Sequence, residues 1–130
     1  MLSDELQLLN FLFLAAESHQ KQQIPGRDRF LILSLITACE TGFPELADQC
    51  EQIILRDSSH HLISRYANAI EAMQSEEFQV FAKQMRRFCT TERAEQLAQG
   101  LGFHAERELQ YSQGNVQQLA QKIIQPMMEK

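Results

Sequence analysis

A chain of 130 residues, 44% hydrophobic and 22% charged, is long enough to bury a core and is not of disordered composition. Its formal net charge of −5 argues against a general affinity for nucleic acid or anionic membranes, which requires cations to neutralise phosphate, but it leaves room for one local basic patch. Cys39, Cys50 and Cys89 are odd in number and show no CxxC spacing, so they read as buried free thiols of a cytoplasmic protein rather than as a disulfide framework.

Apolar residues recur at three- and four-residue steps, and no segment alternates as a half-buried strand does. The pattern predicts one all-α domain over 1–130 with about eight helices. The first runs from Ser3 to Lys21, with Ser3 as N-cap and Asp4 and Glu5 matching the positive helix end. Leu6, Leu9, Phe13 and Ala16 form one stripe, widened by Leu2, Leu8, Leu12 and Ala15. The run Leu8–Ala16 is apolar apart from Asn10. It falls far short of the roughly 20 residues that span a bilayer, and acids precede it where a signal peptide is basic. His19 reads as a solvated helix end, and Pro25-Gly26 as loop.

The second helix, Arg27 to Thr41, is apolar nearly all round and belongs at the centre of the fold. Gly42 ends it, and Pro44 opens a third helix that runs to Arg56. The Asp57-Ser58-Ser59 stretch leads into a fourth, His60 to Gln74. Ser75 caps a fifth with Phe78, Phe81, Ala82, Met85 and Phe88 inward. Thr90 or Thr91 caps a short sixth, which ends at Gly100 and Gly102. Phe103 to Gln113 forms the seventh, and Asn115 with Gln118 resembles a capping box for the eighth. Short connections make neighbouring helices antiparallel hairpins: 27–57, 60–89 and 103–129, with 1–24 packed on them and 90–102 inserted.

The stretch GFPELADQCEQIILRDSSHH places a glycine at 42 and an alanine at 47, a tight turn followed by a close helix approach. Looser versions of the turn fall at Ser75 and Gly114, spaced 33 and then 39 residues. This pattern resembles the tetratricopeptide repeat, whose period is about 34 residues. The resemblance covers roughly residues 28–129. No unit has the usual bulky aromatic in its first helix, and Ala82 stands seven positions beyond Ser75 rather than five. The resemblance implies a right-handed superhelix of hairpins; an irregular helical bundle is the alternative. It also implies a partner groove lined by the first helix of each hairpin. In this chain that groove would carry His61, Arg65 and Asn68 on the outward face of the fourth helix.

Chemistry with strict spacing is missing. There is no glycine-rich phosphate loop, no Glu-x-x-His pair and no HExxH, so no metal, cofactor or catalytic set is expected. Lys83, Arg86, Arg87 and Arg93 form one basic cluster near Cys89. Cations at a helix end offset its dipole; alternatively the cluster takes an anion or acidic partner, or activates the thiol. The sequence therefore points to a non-enzymatic scaffold or adaptor for a protein or peptide. A small anion-binding protein or enzyme using the cluster near Cys89 is one alternative, and a homo-oligomer such as a homodimer, joined through the first or eighth helix, is another.

Overall fold

The computed structural model describes residues 3–129, so Leu2 of the first stripe lies outside the described residues. Eight α-helices follow in order: α1 Asp4–Gln20, α2 Ile24–Thr41, α3 Pro44–Asp57, α4 Ala69–Met73, α5 Glu76–Phe88, α6 Thr91–Gly100, α7 Ala105–Tyr111 and α8 Val116–Met128. A single 3-10 turn, Leu62–Arg65, precedes α4, and the described residues contain no strand. The all-α class stands.

Helix starts follow the sequence closely because caps are local devices. Ser3, Ser75, Thr90 and Asn115 each accept from the backbone N–H three residues on, at 3.3, 3.3, 3.2 and 3.0 Å. The start of α2 differs from the expectation. Pro25 and Gly26 lie in its first turn, where the missing proline N–H is harmless, and Gln22 at φ 60° makes the bend instead.

Gly42 takes φ 85°, and Phe43 N–H closes the α2 end on the Ala38 carbonyl at 2.8 Å. The same closure recurs at Gly102, φ 90°, where Phe103 N–H reaches the Ala98 carbonyl at 2.9 Å. At the third predicted turn, Gln113 already has positive φ and Gly114 itself donates to Leu109 O. Ser75 is an extended N-cap rather than a left-handed turn. The three turns of the sequence motif are therefore built in three ways.

α1 and α2 form the central hairpin. α3, α4 and α5 pack on α2, while α6, α7 and α8 pack on α1. α8 also meets α3, where Gln49 and Gln121 exchange carboxamide hydrogen bonds at 3.2 and 2.6 Å. Arg56 Nη1 donates to Met127 O at 2.8 Å. Residues from Leu8 to Met127 share one buried cluster, and Phe13 stacks on Phe103 with ring centroids 4.4 Å apart. The wide apolar face of α1 is thus used inside the fold. Along α2 every residue from Leu31 to Ala38 is buried, and the Ser34 and Thr37 hydroxyls donate to the carbonyls four residues back.

One buried polar group ties the ends of three helices. Arg27 is 0% exposed. Its Nε and Nη2 donate to Asp28 Oδ1, and Nη1 donates to Asp57 Oδ2 at 2.9 Å and to His19 Nδ1 at 3.1 Å. Arginine has no acceptor, so His19 is the neutral tautomer with its proton on Nε2. Burial, then Arg27 and Arg56, hold its pKa below the usual value. His19 is a clamp partner and not the solvated helix end that its position in sequence suggests.

Glu51 is buried on α3 with Oε2 unpaired among the described residues. Burial, helped by Asp48, pushes its carboxyl up to about 7. A carboxyl raised in the folded state contributes stability that is complete below its ordinary value of 4.5 and is lost as pH rises through about 7. His19, depressed, acts in the opposite sense, with stability lost as pH falls below 6.5. Glu51→Gln is expected to remove the first contribution and leave the second. In melts at about pH 5 and about pH 8, the variant should gain stability relative to wild type at the higher pH. An unchanged difference between the two proteins at both pH values contradicts this.

Candidate functional site

The segment between α3 and α5 is not the continuous fourth helix expected from residues 60–74. His61 Nδ1 accepts from Ile63 N–H at 3.1 Å and caps the 3-10 turn. Asn68 Oδ1 accepts from Glu71 N–H at 2.8 Å and starts α4 afresh. Both side chains offer the backbone a local alternative to helix, and here they win. His61, Arg65 and Asn68 consequently do not share a helix face. Asn68 is spent as a cap, and exposed Arg65 is paired with Glu77.

The basic cluster also divides. Arg86 pairs with Glu40 of α2 at 2.7 Å. Lys83, Arg87 and Arg93 have no carboxylate within ion-pair distance among the described residues. Arg93 stands on α6 beyond the Thr90 cap. Cys89 is buried, and burial raises its thiol pKa, with Arg93 offsetting only part of that rise. A thiol held protonated lacks the thiolate character of a reactive cysteine.

What the structure brings together instead is an open cleft of about 320 Å³ between α2 and α5. Ile24, Pro25 and Ile32 form one wall, Phe81 and Met85 the other, and His61 closes the end. The predicted inward stripe of α5 is wider than the core that receives it. Only Phe78 and Ala82 are buried, Phe81 and Met85 are half-covered, and Phe88 is 42% exposed. Phe88 leans on Phe30 with centroids 5.5 Å apart, and the Arg29 guanidinium lies 5.1 Å from its ring centre.

The polar groups at the cleft have defined roles. Asp28 is committed internally: Oδ1 to Arg27, Oδ2 to the Ser58 hydroxyl at 2.9 Å. Burial lowers the His61 pKa, with Asp28 opposing, so the ring is neutral near pH 7 and its proton sits on Nε2. The ring meets Phe81 edge-on at 5.8 Å. The cleft thus presents apolar walls, one neutral imidazole and the Arg29 cation at its rim.

Among the described residues no cluster of three His, Cys, Asp or Glu side chains is arranged to hold a metal ion, and no helix is long and apolar enough to cross a membrane. Comparison with family models, curated proteins and solved structures finds no match. The sequence signal for the cleft was the five-residue apolar stripe of α5, broader than one helix needs to bury.

Proposed function

We propose that this protein is a non-enzymatic interaction module that receives a protein or peptide partner in the cleft between α2 and α5. The observation that carries the reading is the half-covered apolar stripe of α5 lining a concave site with few polar groups, the usual make-up of a recognition pocket. Arg29, which lines the cleft, lacks a carboxylate partner among the described residues, although the whole chain is acidic. That contrast favours an acidic segment bearing one bulky apolar side chain. Of the partner-binding residues expected from the sequence, only His61 lines this cleft.

The packing favours an irregular bundle over a tetratricopeptide-like superhelix. A linear stack contacts only neighbouring units, whereas α8 returns to α1 and α3. Three free thiols suit a reducing compartment, and the proposal assigns the module to the cytoplasm.

Panning a random peptide library against the folded protein tests the reading. Acidic peptides with a single Leu, Phe or Met are expected to be enriched. Met85→Gln, which keeps the side-chain length and loses the apolar wall, should weaken an enriched peptide about tenfold. Arg65→Ala and Asn68→Ala should leave it bound. No enrichment, or affinity indifferent to Met85→Gln, contradicts the proposal.

A further inference from the structure

Asn10 is a polar residue in the middle of a buried apolar run. Leu8, Leu9, Phe11 and Leu12 around it are buried, and Asn10 itself is 1% exposed. Neither its Oδ1 nor its Nδ2 has a hydrogen-bond partner among the described residues. A buried carboxamide left unpaired is destabilising, and leucine at this position would extend the stripe without that cost.

Asn10 also lines a second cleft, of about 360 Å³, on the α1 side of the central hairpin. Its other walls include Leu6 of α1, Glu95 and Gln99 of α6, and Arg107 and Gln110 of α7, with His104 just before α7. We propose that this cleft binds an amide-bearing ligand and that Asn10 is the residue that pairs with the amide.

The chemistry of the unpaired atoms selects the ligand class. Oδ1 needs a donor and Nδ2 needs an acceptor, side by side. A carboxylate offers no donor, and an ammonium offers no acceptor. An amide offers both, either as a primary carboxamide or as the N–H and C=O that one residue of an extended chain turns to the same side. Glu95, Glu106 and Arg107 all line the walls, so the cleft carries both signs of charge. Asn10 lines the cleft with both polar atoms buried, and the soft terminal torsion of asparagine lets them turn toward a ligand. This site is separate from the α2–α5 cleft and does not rest on that reading.

The test is a titration of ¹⁵N-labelled protein observed through the Asn10 side-chain NH₂ resonances. The probes are propionamide and N-acetylalanine N-methylamide, with sodium propionate as the control of matched shape. One or both amides are expected to shift the Asn10 pair saturably, with half-saturation on the order of 10 mM for such small ligands. Tighter propionamide binding identifies a free carboxamide as the source, and tighter binding of the capped alanine identifies a chain segment. Asn10→Leu should abolish the binding and leave the melting temperature unchanged or raised. The proposal is overturned if neither amide saturates, if propionate binds as well, or if Asn10→Leu still binds. The wild-type comparison of propionamide with propionate stands whatever the variant does.

Discussion

Replacing Arg27 by methionine is expected to lower the free energy of unfolding by about 3–5 kcal/mol, the cost of breaking a buried ion pair from one side. Methionine fits the space of the arginine stem but supplies none of its donors. Asp57 is partly exposed and regains water, whereas Asp28 has a side chain only 9% exposed and loses the guanidinium that neutralises it. His19 loses its donor at the same time. The arginine bridges the end of α1, the start of α2 and the end of α3, so the loss falls on the central hairpin and its neighbour together. The measurement is a denaturant midpoint at constant slope. Adding Asp28→Asn to Arg27→Met should restore part of the loss, because the uncompensated charge is its main source. A loss below about 1 kcal/mol in the single variant, the range of exposed pairs, would contradict a buried clamp.

Acid should reveal the same clamp. Hydrogen bonds from Arg27, then Arg56, hold the Asp57 carboxyl below its usual value against its own burial. A depressed carboxyl contributes stability that is present above its unfolded pKa of 3.8 and is lost as pH falls. Arg27→Met should shrink that acid-side loss as well as lower the plateau.

Phe78→Ala is the second large effect, expected at about 3–5 kcal/mol. Phe78 is fully buried and is the ring that seats α5. It meets Tyr66 edge-on at 5.8 Å and lies tilted against Phe81 at 5.9 Å. The cavity left by alanine lies directly beneath the cleft wall, so the variant should also lose the enriched peptide even where it remains folded. Urea unfolding and peptide titration on the same preparation check both outcomes. A stable variant that keeps full peptide affinity would show that Phe81 and Met85 are positioned independently of Phe78.

The contrast between these residues shows what a sequence exposes. The caps at Ser3, Ser75, Thr90 and Asn115 and the Gly42 turn were legible because each is decided within a few residues. The break between residues 58 and 68 is also local, but His61 and Asn68 compete with a good apolar period, and the period alone predicted helix. The Arg27 clamp was hidden because its partners His19 and Asp57 lie 8 and 30 residues away. The spacing of the α5 stripe predicts core at all five positions. Only the tertiary arrangement reveals that the core takes in Phe78 and leaves Phe81 and Met85 lining an open cleft. Asn10 stood out in sequence as the polar break in an apolar run, but its unpaired atoms and the cleft beside it required the packing of α6 and α7 on α1.

The most direct test of the interaction reading is a backbone amide shift map of the ¹⁵N-labelled protein with an enriched acidic peptide. The account predicts the largest shifts at Ile24, Arg29, Ile32, His61, Phe81 and Met85, and their loss in Met85→Gln. Shifts centred on α3 and α8, with the α2–α5 cleft silent, would contradict it.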